Sequence, residues 1–130
     1  MVLDTSAILA ILLGDADGPI FAEAIGSASA RLLSAASLVE ASIVLETRKG
    51  DAGGRELDLL IYRSEIEIVP VGKEQAELAR AAWRKFGKGR HPAALNYGDC
   101  FPYALAKITE SPLLYKGDDF ALTDVVSALS

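Results

Sequence analysis

These 130 residues are expected to form an α/β domain, a short, mostly parallel sheet flanked by helices. Three observations carry that expectation. Four short apolar stubs alternate with longer stretches of helical composition, the order that produces a parallel sheet with helices packed on it. Hydrophobic residues make up 51% of the chain and charged residues 24%, enough to bury a core and too apolar for disorder. Acidic residues also recur where the chain leaves a strand or enters a helix: Asp4, Glu40, Asp99 and the pair Asp118/Asp119. In open α/β sheets ligands bind beyond the carboxyl ends of the strands. The length suits one domain over residues 1–130, and the sequence contains no internal repeat or linker.

The elements read in order as follows. Val2 and Leu3 form a strand stub that ends at Asp4, and Thr5 or Ser6 can cap a helix over residues 7–13. A Gly-, Asp- and Pro-containing loop over residues 14–19 leads to a short helix at residues 20–25. Residues 31–34 make a second strand, and a helix over residues 36–49 stops at Gly50. A partner helix follows at residues 55–63, with the double glycine at 53 and 54 left in the connection. Residues 65–70 alternate with period two, a strand signal. Residues 73–86 are helical, with Ala76, Ala79, Trp83 and Phe86 stepping along one face that is expected to be core. A basic Gly/Pro loop spans residues 87–97. The next helix covers residues 98–109, because Pro102 fits only a first turn and so places the start near Asp99. A last strand at residues 112–115 runs into Lys116-Gly117-Asp118-Asp119, and a short helical segment closes the chain.

Bulk properties narrow the function classes. A formal net charge of -5 argues against a general nucleic-acid coat, which needs Lys and Arg to neutralise phosphate. It leaves room for a nuclease, because acids that bind a cation count as negative in the sequence and are neutralised by the ion. Basic residues do cluster locally at Arg84, Lys85, Lys88, Arg90 and His91. The longest apolar run, at residues 7–13, is far below the roughly 20 residues that span a bilayer, so no membrane association is expected. The first residues have no basic segment ahead of an apolar stretch, so no signal peptide is expected. The single cysteine, Cys100, cannot form an internal disulfide, and a reducing, cytoplasmic setting follows.

Carboxylates held close together repel one another and raise each other's pKa, and a fold keeps such a cluster mainly when a cation compensates it. Oxygen-only ligand sets suit hard ions such as Mg2+ or Mn2+. Each acid also has a structural reading. Ser37-Leu38-Val39-Glu40 fits a capping box, and in Asn96-Tyr97-Gly98-Asp99 the asparagine fits a helix cap with Asp99 favoured by the helix dipole. Asp118 and Asp119 fit a turn after Gly117. Asp4 is hardest to explain structurally, because an unpaired charge directly after core residues is costly. Capping and turns account for the acids singly, not for their recurrence at one edge. Cys100 reads as a buried structural thiol rather than a nucleophile, and one His with one Cys does not make a zinc site. The basic loop is open to two readings, a solvated connection or a hold on a polyphosphate backbone.

Four stretches resemble a known family. They are Val-Leu-Asp-Thr-Ser-Ala at the start, Ser-Leu-Val-Glu-Ala at residues 37–41, Gly-Lys-Gly-Arg-His-Pro-Ala-Ala-Leu-Asn-Tyr-Gly-Asp-Cys-Phe at residues 87–101, and Leu-Leu-Tyr-Lys-Gly-Asp-Asp-Phe at residues 113–120. They resemble PIN-domain ribonucleases, and more narrowly the VapC-type toxins of toxin–antitoxin pairs, nearly end to end and in the family's order. The resemblance implies a PIN-like three-layer sandwich, a Mg2+ or Mn2+ cofactor and endonucleolytic hydrolysis of RNA. It implies that Asp4 and Asp99 bind metal, that Glu40 is the helix acid, and that Asp118, Asp119 or both are the fourth acid. Thr5 or Ser6 matches a hydroxyl beside the metal. It further implies a VapB-type antitoxin as partner and a homodimer. Two other classes remain open. One is a haloacid-dehalogenase-like phosphatase, suggested by Gly117-Asp118-Asp119 with Asp124; against it, the second early aspartate is missing. The other is a catalytically inactive PIN-like protein-binding module.

Overall fold

The computed structural model describes residues 1–129. Among them, four strands form one sheet in the order β3-β2-β1-β4: β1 (Val2–Leu3), β2 (Leu32–Ser34), β3 (Glu67–Val69) and β4 (Leu113–Leu114). All three pairings are parallel, with Val2 opposite both Leu32 and Leu113. Six helices surround the sheet: α1 (Thr5–Leu12), α2 (Gly18–Ser27), α3 (Ala35–Lys49), α4 (Asp51–Arg63), α5 (Lys73–Phe86) and α6 (Tyr97–Ile108). A 3-10 turn at Phe120–Leu122 follows β4.

The strands are so short that alternation within them defines the layers. Successive side chains of a strand point to opposite faces. Val2 and Leu113 therefore pack with Phe86, Leu95, Tyr103 and Leu105 on the α5/α6 side. Leu3, Leu33 and Leu114 pack with Ile8, Phe21, Leu45 and Leu57 on the α1–α4 side. Two cores separated by one sheet make the three-layer sandwich.

The connections explain where a site can form. From β1 the chain moves through α1 and α2 to β2, then through α3 and α4 to β3, always in one direction across the sheet. From β3 it crosses on the opposite face, through α5 and α6, to β4 on the other side of β1. Reversal of direction with a change of face is what right-handed crossovers require. It leaves a crevice beyond the carboxyl ends of β1 and β4, the switch point at which such sheets bind ligands.

Several boundaries differ from the sequence reading. The helix after β1 begins at Thr5 with Asp4 as its cap, rather than being capped by Thr5 or Ser6. Helix α2 begins at Gly18 and takes Pro19 into its first turn, where a missing N–H costs nothing. Helix α4 begins at Asp51 and includes both glycines assigned to the connection. A Cβ on Gly53 would run into the Leu45 carbonyl, so glycine is what allows α4 to close onto α3. Trp83 is not core: Ala79 and Phe86 on its face are buried, but the indole is 43% exposed. Lys73–Phe86 coincides with the expected helix.

Candidate active site

Asp4 is the residue on which the edge turns. Its backbone N–H donates to the Leu114 carbonyl, fixing it between the ends of β1 and β4. Its side chain caps α1: Oδ2 accepts from the Ser6 N–H at 3.1 Å and from the Ser6 hydroxyl at 2.5 Å. The Ser6 hydroxyl in turn accepts from the Lys116 N–H at 2.9 Å, tying the cap to the loop after β4. Lys116 Nζ reaches Asp15 at 2.9 Å and Asp17 at 3.0 Å, which fastens that loop to the α1–α2 connection. Thr5 points elsewhere and donates to the Ser37 carbonyl at 3.4 Å. Of the two hydroxyls singled out from sequence, Ser6 touches the acid and Thr5 does not.

Burial pushes the Asp4 carboxyl up to about 6, against the lowering effect of the Ser6 bonds; Asp99 and Glu40 push it further the same way. Asp99 is raised as well, first by burial and then by Glu40 and Asp119. The charged side chains that raise these two acids are other carboxylates, and among the described residues neither acid is in an ion pair with Lys or Arg. The structure thus brings Asp4, Glu40, Asp99 and Asp119 into one field. Asp118 and Asp119 are both exposed, and of the two it is Asp119 that raises Asp99.

The structural readings of the acids now separate. The Ser37–Glu40 capping box does not form. Ser34 caps α3 through a bond from the Ala36 N–H, and Ser37 lies inside the helix with its hydroxyl buried and unpartnered. Glu40 is therefore free of a capping duty. Its carboxylate lies where a Cβ on Gly98 would be, so a small residue at that position is what lets Glu40 rest on the first turn of α6. Gly98 was not identified from the sequence, although its place directly before Asp99 was the available signal. The Asn96–Asp99 capping box does form: Asn96 Oδ1 accepts from the Asp99 N–H and Asp99 Oδ2 accepts from the Asn96 N–H, both at 3.0 Å. Capping and site membership coexist in Asp99, because the cap uses one oxygen.

The donor set fits a hard divalent ion. All candidate ligand atoms are carboxylate oxygens, two of them on acids whose pKa is raised by burial and crowding. Among the described residues, no three His, Cys, Asp or Glu side chains converge tightly enough to make a ready-made cage. Mg2+ typically keeps several waters and takes only one or two carboxylates, which an open set of this kind can supply. Cys100 is buried beneath the site, donates to the Asn96 carbonyl at 3.3 Å, and has its thiol pushed up to about 11 by burial and by Asp99.

Residues 1–126 match the PIN domain family. The chain belongs to that family. Within it, the chain resembles VapC ribonucleases over nearly its whole length. It is 51% identical to Ribonuclease VapC of Mycolicibacterium smegmatis, with 98% of each chain covered. It is 51% identical to Ribonuclease VapC30 of Mycobacterium tuberculosis, covering 98% of this chain and 97% of that one. Ribonuclease VapC28 of the same organism is 49% identical, with 99% and 98% covered. The crystal structure of Mycobacterium tuberculosis VapC20, described as a sarcin-ricin loop cleaving toxin, superposes with a TM-score of 0.79. It covers 96% of this chain and 95% of that one, and at 17% identity it speaks for the fold. The PIN-like sandwich expected from the sequence is the fold observed. Asp124, the residue that lent weight to a phosphatase, lies away from the acids: it accepts from the Tyr103 hydroxyl at 2.5 Å and pairs with Lys107 at 3.2 Å.

Proposed function

We propose that this PIN domain is a metal-dependent endoribonuclease, the toxin of a toxin–antitoxin pair held in check by a VapB-type antitoxin. The observation that carries the reading is Asp4: a buried carboxylate at the switch point, raised further by Asp99 and Glu40 and in no ion pair among the described residues. Near-full-length identity of about half to VapC ribonucleases supplies the substrate class. Residues 1–130 act as one nuclease domain. The cytoplasm is where its RNA and antitoxin would meet it; among the described residues no helix is long and apolar enough to cross a membrane. A homodimer rests on the family resemblance.

Mg2+, with Mn2+ as a substitute, fits the acids best, and Asp4 and Asp99 would hold it. When bound, the ion supplies charge stabilisation at the scissile phosphate and lowers the pKa of water. The chain's residues do the rest. Ser6 occupies Asp4 Oδ2, and Asn96 occupies Asp99 Oδ2, so both aspartates are held in orientation with one oxygen left to present. Glu40, resting on Gly98, and Asp119, at the start of the 3-10 turn, would orient the attacking water, and one of the two would accept its proton. Asp118, Asp119 or both would supply the fourth acid, and the repulsion of Asp99 by Asp119 favours Asp119. Attack by water breaks the bond from phosphorus to the 3′ oxygen, leaving a 5′ phosphate and a 3′ hydroxyl.

The test is cleavage of total cellular RNA by purified, partner-free protein with Mg2+ or Mn2+, with EDTA, and with Asp4→Asn. Discrete fragments bearing 5′ phosphates, lost with EDTA and in the variant, are expected. A 2′,3′-cyclic phosphate product would overturn the water-attack mechanism. A folded wild-type protein that cleaves nothing with either metal would overturn the ribonuclease reading.

A further inference from the structure

One exposed feature is not used by the acid cluster. Between α5 and α6 lies a groove of about 560 Å3, within the range of clefts that hold small planar ligands. Trp83, Tyr97 and Phe101 supply its ring surface, Arg80 and Arg84 line it, and no carboxylate lines it. Tyr97 is 80% exposed, a large apolar surface to leave in water. The rings are already arranged: Tyr97 meets Phe101 edge-on at 4.9 Å, and the Arg90 guanidinium lies over the Trp83 indole at 4.4 Å. Tyr97 and Phe101 lie one turn apart on the face of α6 turned to α5, while Asp99, two residues from each, lies on another face of that helix.

Charge decides the occupant. Arg80 is paired with Glu77, but Arg84, Lys85, Lys88 and Arg90 have no carboxylate partner among the described residues. A chain of net charge -5 thus concentrates unpaired cations beside exposed aromatic rings, one of which, Trp83, already carries the Arg90 guanidinium on its ring. Cations that track a phosphate backbone, with aromatic and guanidinium planes for bases to stack on, are how proteins hold single-stranded nucleic acid. A second copy seated here about a two-fold axis would set these arginines against their own equivalents.

We propose that this groove is a nucleobase subsite, in which an unstacked base of the RNA substrate lies against Trp83 and Tyr97 while Arg84 and Arg90 hold its phosphates. The proposal rests on the ribonuclease reading and adds to it residues that bind the substrate on the α5/α6 face.

Trp83 is the only tryptophan, so its emission reports the groove directly. Asp4→Asn protein, which leaves RNA whole, is titrated with a short single-stranded oligoribonucleotide and, separately, with inorganic polyphosphate. RNA is expected to quench Trp83 saturably and polyphosphate to leave it unchanged. In the otherwise wild-type enzyme, Trp83→Leu should raise KM for RNA about tenfold, the scale of one lost stacking contact, with kcat nearly preserved. Trp83→Phe should restore most of the affinity. Tyr97→Ala, at an exposed position, gives the same KM readout if Trp83→Leu does not fold. RNA that binds without changing Trp83 emission, together with an unchanged KM in both variants, overturns the subsite. Emission that follows protein concentration instead of RNA assigns the groove to a second copy and also overturns it. A wild type that cleaves RNA while these variants keep its KM sinks only the groove; a folded wild type with no cleavage sinks the ribonuclease reading and the groove with it.

Discussion

Helix α6 has carboxylates at each end, half-buried at its start and exposed at its end, and the two settings are opposites. At its start, Asp99 lies among Asp4, Glu40 and Asp119, and its pKa is raised. At its end, beside the start of β4, Asp124 meets Lys107 and the Tyr103 hydroxyl. Burial works to raise it too, but those bonds and the Lys107 charge outweigh burial and hold it below its ordinary range. One end has acids without cations, the other an acid with every partner it needs. A satisfied carboxylate is part of the scaffold. An unsatisfied set keeps free energy available for a ligand, and that imbalance, more than the count of acids, marks the functional end.

Breaking the functional end should have the largest effect. Asp4→Asn and Asp99→Asn are each expected to cut RNA cleavage by about a hundredfold or more, the scale of losing one charge-stabilising group. Both variants should fold, since an amide oxygen can still accept the Ser6 or Asn96 bonds. Fragment yield from total RNA, with circular dichroism as the folding control, checks this. Full activity in Asp99→Asn would dismantle the proposed ligand assignment.

The same end should show itself in stability. A carboxyl raised to about 6 binds its proton in the folded protein where the unfolded chain, near 3.8, has already lost it. Metal-free wild type should therefore lose stability as pH rises from about 4 to about 6. The loss approaches about 3 kcal/mol, because each tenfold difference in proton affinity between the folded and unfolded chain is worth about 1.36 kcal/mol. Asp4→Asn should lack this fall and be the more stable protein at neutral pH without metal. Mg2+ at a hundredfold excess over its Kd should return about 2.7 kcal/mol to wild type and much less to the variant. Urea melts across that pH range, with EDTA or Mg2+, give the answer.

Gly98 sharpens the contrast within α6 itself. Alanine favours a helix by up to about 1 kcal/mol over glycine, yet here its methyl would occupy the place of the Glu40 carboxylate. Gly98→Ala should thus leave the melting temperature close to wild type and lower cleavage about tenfold or more by displacing Glu40. If that is the cause, adding Gly98→Ala to Glu40→Ala should cost little further activity.

These residues also mark what a sequence can and cannot disclose. The alternation of apolar stubs and helices suffices for the sandwich, because burial pattern and connection rules leave few other arrangements. Asp4, Asp99 and the pair Asp118/Asp119 could be singled out because each sits at or near an element end, and Glu40, in the second turn of α3, because the sequence places the helix start later than it is. What stayed hidden depends on packing between elements distant in sequence. Gly53 and Gly54 look like helix breakers until Leu45 and Glu46 are seen against them. Ser37 and Glu40 have capping spacing, but Ser34 begins the helix earlier and takes the role. Trp83 follows the buried stripe, yet α5 turns it outward toward Tyr97 and Arg90. Asp118 and Asp119 are equivalent on paper; which faces Asp99 is decided by the turn after β4.

The structural end supplies the smallest effect and the control. Asp124→Asn keeps an oxygen for the Tyr103 hydroxyl but loses the charge that holds Lys107. The ion pair is well exposed, so solvent screening limits its worth, and about 1 kcal/mol or less of stability should be lost at neutral pH. A lowered carboxyl pKa gives stability that is present above the unfolded value and disappears as pH falls through the folded one. The difference between wild type and variant should accordingly shrink toward strong acid, the reverse of the trend at Asp4. Cleavage should be unchanged. Asp4→Asn would then raise metal-free stability and abolish activity, while Asp124→Asn lowers stability and spares activity. Loss of cleavage in folded Asp124→Asn would mean that α6 couples its two ends, and the separation between scaffold and site would fail.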